Sequence, residues 1–351
     1  MSAQDAEELQ RRLAAARALL SHIPDPVIFV GPDGFVLEAN AAARELLPTL
    51  QLERPLSYGL RAPEILNDLG ALRPGETAHV EYRIRAPVER AFDVQVTALP
   101  GEGEMLGLML FFRDLTTARR VEQMRADFVA NVSHELRTPL ASLTGFIETL
   151  QGPARDDAKA RERFLAIMKD QAWRMSRLVD NLLSLSRIEL RAHVAPGTPV
   201  ELGSVVTEMV DTLAPRARDR GVEIAFEAPA GPAFVLGDRD ELLRLVENLV
   251  ENAVKYGGSG GRVDVALATG GDRIELSVRD YGPGIAPEHL PRLTERFYRI
   301  DVAESRDKGG TGLGLAIVKH IVNRHRGQLS IDSEPRKGAL FRISLPAHAD
   351  P

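Results

Sequence analysis

FVANVSHELRTPLASLTGF, residues 128–146, carries two patterns at once. The large apolar residues of this stretch and the turn after it are Phe128, Val132, Leu136, Leu140, Leu143, Ile147 and Leu150. Their steps of three and four draw one stripe on a helix. At about 100° per residue, His134 falls on the side opposite the stripe, and Thr138 follows one turn later on nearly the same side. Glu135 sits at the border between the two faces. An imidazole placed there meets solvent and any partner that docks from outside. A lone histidine on such a face is ordinarily a surface residue. Here a carboxylate follows it directly, and Pro139 interrupts an otherwise helical pattern, although proline removes a backbone donor and tends to kink a helix.

Working outward, Arg113 to Ala130 is predicted as a continuous helix running into this one. Gly152-Pro153 ends the pattern, and Asp156-Asp157 can cap a second helix. In it Phe164, Met168, Met175, Leu178, Leu182 and Leu185 form a coiled-coil-like stripe, with Gln171 in one core slot. Two antiparallel helices cannot bury such faces alone, whereas two copies make a four-helix bundle, so a homodimer is expected. A purely structural dimerisation hairpin would show the same stripe; only the residues around His134 argue for more.

The bulk numbers bound the rest. A chain of 351 residues predicts two or three domains. With 44% apolar, 27% charged and 5% aromatic residues it has a globular composition, and a net charge of −6 gives no overall attraction to nucleic acid or anionic lipid. No segment approaches the roughly 20 apolar residues that cross a bilayer. The most apolar run, MLGLMLFF from Met105 to Phe112, has strand length. MSAQDAEELQ is acidic and polar, unlike a signal peptide. The absence of cysteine excludes disulfides, thiolate metal sites and flavin–thiol photochemistry. A cytoplasmic location is expected, although the soluble part of a membrane receptor would read the same way.

Residues 3–20 have a short helical pattern at Leu9, Leu13, Leu19 and Leu20. PDPVIFVGPDGFVLEAN then reads as two strands around a Pro32-Asp33-Gly34 turn, with a helix (AAARELL) starting after Asn40. HVEYRIRA, AFDVQVTAL and MLGLMLFF are three further strands, which together predict an α+β domain with a five-stranded sheet. His22 and His79 are its only histidines, and each reads as a structural or surface residue rather than a haem ligand.

After a linker at RAHVAPGTP, strands and helices alternate to about Pro346. No GxxxxGK[ST] phosphate loop occurs, so any use of ATP requires another fold. In LLRLVENLVENAVKYGG, Leu242, Val246, Leu249 and Ala253 form a buried stripe. Asn248, Asn252 and Lys255 cluster on a second face. Two amides and an ammonium suit a hydrated Mg²⁺ and the phosphates around it, though periodicity alone favours a solvated face. In RIELSVRDYGPGI, Asp280 continues the inward parity of Ile274, Leu276 and Val278. A carboxylate there needs hydrogen-bond donors, which an adenine amino group could supply, with Gly282 and Gly284 admitting the base. A turn-forming aspartate before Gly-Pro-Gly is the rival reading. ERFYRI (Glu295–Ile300) precedes DVAESRDK, a charged stretch that could close as a lid, and Arg299 could reach phosphate. GGTGLGLAIVKHIV sets Gly309, Gly310, Gly312 and Gly314 before a helix, where freed N–H groups can face an anion.

SHELRTPL resembles the phosphoacceptor box of sensor histidine kinases. The four later segments, in their order and spacing, resemble the N, G1, F and G2 boxes of the GHKL (Bergerat) ATP-binding fold. Histidine kinases share that fold with gyrase-type topoisomerases and related chaperones. The N-terminal part is similar to a PAS sensor domain, with Asp114-Leu115-Thr116 resembling its exit motif. The implied architecture is an N-terminal helix (1–20), an α+β PAS-like domain (21–112) and a signalling helix (113–127). An α-helical hairpin forming a dimeric four-helix bundle (128–190), a linker (191–199) and an α/β-sandwich ATP-binding domain (200–346) follow.

The resemblance implies His134 as the phosphorylated residue, Glu135 as its orienting or proton-accepting neighbour, and Thr138 as the residue serving a phosphatase reaction. It implies Asn252 as the Mg²⁺ ligand, Asn248 and Lys255 near metal and phosphate, and Tyr256 beside the nucleotide. Asp280, Gly282 and Gly284 are assigned to adenine, and Arg299, Gly310, Thr311, Gly312, Leu313 and Gly314 to the phosphate side. The cofactors implied are ATP and Mg²⁺, and the partner is the receiver domain of a response regulator. ATP-hydrolysing relatives carry a glutamate where Asn248 stands, and an amide is no base for activating water. GFIETLQGPARDD through RFLAIMKDQAWRMSRLVDNLLSLSRIEL most resembles phosphate-regulon sensor kinases, which usually begin with membrane helices. The rival functions are an ATP-binding scaffold without phosphotransfer and a conformational ATPase.

Overall fold

The computed structural model describes residues 11, 14–15, 17–68, 72–84, 89–101, 104–191, 193–229, 231–301 and 310–349. They fall into two compact units, Met1–Asp127 and Phe128–Pro351. The helix expected over 1–20 lies partly outside the described residues; 11, 14–15 and 17–20 are helical.

In the first unit, β1 (Val27–Val30) and β2 (Val36–Ala39) form the expected hairpin. Asn40 then caps α1 (Ala41–Leu46). Its Oδ1 accepts from the Val27 and Ala43 N–H groups, and its Nδ2 donates to the Ile23 and Asp25 carbonyls. A buried amide is thereby fully used. After α2 (Pro63–Asp68) come β3 (Thr77–Ile84), β4 (Arg90–Pro100) and β5 (Met105–Asp114), and the antiparallel sheet has the order β2-β1-β5-β4-β3. Phe92, Val94, Val96 and Ala98 alternate inward along β4, giving the sheet one core face. This is the five-stranded α+β domain the texture predicted. His79 pairs with Asp93 on the surface, and the His22 ring bonds the Ala18 carbonyl.

The helix predicted from Arg113 begins instead at Thr116, because Arg113 and Asp114 still pair with Asp93 and Phe92 of β4. Asp114 accepts from the Thr116 N–H at 2.8 Å and from Arg90 at 2.7 Å, while the Thr116 hydroxyl accepts from the Ala91 N–H at 3.0 Å. The Asp-Leu-Thr segment therefore caps the helix and fastens its start to β4.

Helix α3 (Thr116–Gln151) has residues in both units; in the second, its part from Phe128 makes a hairpin with α4 (Ala158–Leu190), and Asp157 accepts from the Lys159 and Ala160 N–H groups. Phe146 and Phe164 meet across it at 5.0 Å between ring centroids. Leu178 and Leu185 are buried, but Leu140, Ile147, Leu165 and Trp173 remain exposed. One chain covers only part of the hairpin's apolar surface.

Beyond β6 (Thr198–Glu201) come α5 (Leu202–Arg218), β7 (Glu223–Glu227), β8 (Phe234–Gly237) and α6 (Arg239–Tyr256). The strands β9 (Arg262–Gly270) and β10 (Arg273–Asp280), helix α7 (Gly314–Arg324), and strands β11 (Gln328–Ser333) and β12 (Ala339–Pro346) complete the fold. The main sheet runs β11-β12-β10-β9-β7 and is antiparallel except between β7 and β9. Its inward rows, such as Val263-Val265-Leu267 and Ile274-Leu276-Val278, share one core with the apolar faces of α5, α6 and α7. Each such buried side chain contributes about 1.5–3 kcal/mol. Leu178, Leu185 and Ile188 of α4 belong to the same core, so the sandwich is docked on the hairpin. Arg324 ties down the connecting segment, its Nε donating to the Arg191 and Val194 carbonyls.

Candidate active site

Helix α6 carries the first wall of the site. Asp238 caps it, accepting from the Asp240 and Glu241 N–H groups, and Leu242, Val246, Leu249 and Ala253 bury one face. That leaves Asn248, Asn252, Lys255 and Tyr256 along a cavity of about 370 Å³. Asn248 Nδ2 donates to the Arg244 carbonyl at 2.7 Å. Its Oδ1 is turned towards Gly314, where a Cβ would stand 2.7 Å from it. Only glycine lets the first turn of α7 approach that amide.

Lys255 pairs with Glu251 at 2.6 Å, and Arg216 adds a second bond to the same carboxylate. Burial holds the Lys255 ammonium below the usual lysine range despite Glu251, and the cations Arg177 and Arg216 push the same way. Glu251 is itself desolvated, yet Lys255 and the nearby arginines keep its carboxyl below the ordinary range. Burial, then the charge of Glu251, pushes Glu247 up.

Strand β10 delivers Asp280 to the far side of the cavity. It is 6% exposed, and burial raises its pKa although the Gly282 and Ala339 N–H groups bond it. Gly284 lines the cavity, whereas Gly282 does not. A Cβ at Gly282 would lie 2.6 Å from the Gly257 Cα, so that glycine permits the backbone packing beneath Asp280.

Gly310, Thr311, Gly312 and Gly314 line a third side, while Leu313 is fully buried in the core under α7. Gly309 and the lid expected at DVAESRDK, apart from Asp301, lie outside the described residues. Gly312 has φ 70° and accepts through its carbonyl from the Phe297 N–H at 2.8 Å. Phe297 also has a positive φ, 64°, and its ring sits 5.9 Å from that of Phe128 on α3.

Arg299 lines the cavity as well, but its terminal nitrogens reach across to Glu135 at 2.8 and 3.3 Å. The Arg299 Nε is buried without a hydrogen-bond partner among the described residues. Glu135 lies 3.7 Å from Arg174 too, so its carboxylate is engaged by two guanidinium groups. His134 is exposed on the outer face of α3, and its ring has no hydrogen bond among the described residues. The Thr138 hydroxyl donates to the His134 carbonyl at 3.2 Å. Pro139 is buried inside a helix that continues through it, and it has no N–H to offer the Glu135 carbonyl. None of His134, Glu135 and Thr138 lines the cavity. The structure thus brings most of the predicted nucleotide residues together and holds the histidine apart from them.

Sequence reasoning missed the fourth wall. Arg177, Asp180 and Asn181 of α4 line the same cavity. Arg244 donates to the Asp180 carbonyl at 3.1 Å and to Asn181 Oδ1 at 3.3 Å, and Asn181 Nδ2 donates to the Thr311 hydroxyl at 3.2 Å. Their i, i+3, i+4 spacing on a polar face was the available signal.

The cavity suits a magnesium nucleotide: oxygen-bearing amides, a buried ammonium, an orphaned guanidinium N–H and a buried carboxylate line one concave surface. Among the described residues, no group of three or more His, Cys, Asp or Glu side chains could hold a metal alone.

Three family descriptions match the chain. "PAS fold" matches residues 20–120, "His Kinase A (phospho-acceptor) domain" 124–191, and "Histidine kinase-, DNA gyrase B-, and HSP90-like ATPase" 237–349. The phosphate regulon sensor protein PhoR of Pseudomonas aeruginosa is 37% identical over 349 residues, covering 95% of this chain and 77% of the relative. The sensor-like histidine kinase SenX3 of Mycolicibacterium smegmatis is 38% identical over 243 residues, 69% of this chain and 63% of the relative. Among solved structures, full-length ShkA in complex with AMPPNP is 29% identical, with a TM-score of 0.48, covering 64% of this chain and 46% of that one. No helix among the described residues is long and apolar enough to cross a membrane.

Proposed function

The chain belongs to the sensor histidine kinases of two-component systems, related to PhoR, and from that premise we propose that His134 is the residue phosphorylated from ATP. The observation that carries the proposal is the pairing, in one chain, of an exposed imidazole on α3 with a nucleotide-sized cavity beside Asn252 and Asp280. Asp280 would accept from the adenine amino group, and Lys255 and the glycine segment would meet the phosphates. Asn252, with Asn248 Oδ1 beside it, would hold Mg²⁺, which neutralises phosphate charge when bound.

In the transfer, a His134 ring nitrogen attacks the γ-phosphorus, a P–N bond forms, and the bond to the ADP oxygen breaks. The proton on the other ring nitrogen passes to Glu135 or solvent. Glu135 faces Arg299 in this structure, and His134 lies outside the cavity, so the docked arrangement is not that of transfer within one chain. Positioning and charge neutralisation then supply most of the catalysis.

The phosphoryl group is proposed to pass to an aspartate on a response regulator, with Thr138 aligning water against that phosphoaspartate in a separate hydrolysis that releases phosphate. The exposed stripe through Leu140 and Ile147 supports a homodimeric bundle. Similarity to PhoR over nearly the whole chain supports a phosphate-regulon role. Incubation with γ-labelled ATP should give acid-labile, base-stable label on the wild type and none on His134→Gln. Label on that variant would end the assignment.

A further inference from the structure

We infer that Arg177, on hairpin helix α4, is a nucleotide-binding residue that contacts the terminal phosphates of ATP when the sandwich is docked as in this structure. This deepens the reading of the cavity as an ATP site and rests on it.

Four cations line the cavity: Arg177, Arg244, Lys255 and Arg299. Three have partners, in Asp180 and Asn181, in Glu251, and in Glu135. Arg177 has no hydrogen bond or ion pair among the described residues. The residue is half-buried, and its charge acts on both Lys255 and Glu251. Arg177 and Lys255 therefore face one space with Glu251 between them, and the Glu247 carboxyl beside Glu251 is pushed by burial towards its neutral form. A polyanion completes that arrangement; a neutral ligand does not.

The position also selects the phosphate end of the nucleotide. Arg177 lies across from the α6 turn that carries Glu251, Asn252 and Lys255, whereas Asp280 belongs to the end proposed for adenine. The helix is held in place for this role. Arg244 grips Asp180 and Asn181, and Asn181 donates to Thr311 between the phosphate-side glycines. Arg177 thus sits one turn along α4 from a fixed point, on the face that looks into the cavity.

The test is competition against a fluorescent ATP analogue on the 351-residue chain, with ATP, ADP and adenosine as competitors. Wild type is compared with Arg177→Ala, Arg177→Gln and Arg177→Lys. Loss of one charge-assisted contact is expected to weaken ATP binding roughly tenfold in the Ala and Gln variants, leave adenosine unchanged, and be partly restored by Lys. If Ala disturbs the helix, as judged by circular dichroism, Gln and Lys decide the question. ATP affinity within twofold of wild type in those variants would overturn the inference, as would equal losses for ATP and adenosine. Failure of the wild type to bind ATP would remove the cavity reading and this inference together. Binding by the wild type with unaffected variants removes the inference alone.

Discussion

Arg299 and Glu135 stand 164 residues apart in sequence and meet in a bidentate ion pair, with side chains 5% and 15% exposed. The residue proposed to reach phosphate and the residue proposed to serve His134 are thus occupied with each other. Breaking a buried pair by removing one partner typically costs about 3–5 kcal/mol, because a charge is left uncompensated. Here the two partners lie on different parts of the second unit, so the cost should appear as undocking. Glu135→Gln or Arg299→Gln should speed protease cleavage in the 191–199 linker by at least about tenfold. The double variant should lose less than the sum of the singles, and additive losses would show that the pair holds nothing.

Asp280 is a carboxylate whose pKa burial raises. Its ionised form opposes folding at neutral pH, and that penalty fades as pH falls through the raised pKa. Asp280→Asn keeps an oxygen for the Gly282 N–H and removes the buried charge. The variant should melt no lower than wild type in differential scanning calorimetry while losing ATP binding by at least roughly tenfold. A lower Tm would show that the ionised group contributes to the fold.

Lys255 is held below the usual lysine range by burial. Bound phosphate favours the charged ammonium, so ATP affinity should be flat below the pKa of the free protein. It should then fall as pH rises through that value, by up to tenfold per pH unit. Lys255→Arg, which stays charged, should bind with a flat alkaline profile in the same titration.

His325 is 5% exposed; its Nδ1 hydrogen donates to the Ile321 carbonyl and its Nε2 accepts from the Asp238 N–H at 3.1 Å. Burial lowers its pKa, so the unfolded chain takes up a proton first. Stability should therefore decline as pH falls below about 6.5, the value expected for an unfolded histidine. His325→Gln should flatten that part of the urea-midpoint profile between about pH 5 and 7.

The hairpin's uncovered residues give a fifth expectation. Leu140→Asp with Ile147→Asp places two carboxylates on the proposed dimer face. Sedimentation should then show monomers with helix content retained, whereas an unchanged dimer would move the interface elsewhere.

What could be read from the sequence was whatever one element reports about itself. The stripe through Phe128 and Leu136, the inward parity of Asp280 and the second face of α6 all follow from a local period. Pairings between elements left no such trace. Nothing in SHELRTPL says that Glu135 will meet Arg299, and the spacing of Arg177, Asp180 and Asn181 does not say that Arg244 of α6 will pack on that face. The start of α3 was misjudged for a related reason. Arg113 and Asp114 stay extended because β4 supplies hydrogen bonds, which a propensity reading does not see.

Phe297 shows how these pieces are connected. Its left-handed backbone, a conformation that costs on the order of 1–3 kcal/mol for a non-glycine residue, is held by the Gly312 carbonyl on one side and by the Phe128 ring on the other. Undocking removes one of those two supports. The Gly312 carbonyl would then be the remaining support of that backbone conformation. Phe297 thus ties the glycine segment beside the cavity to α3, the helix that carries His134.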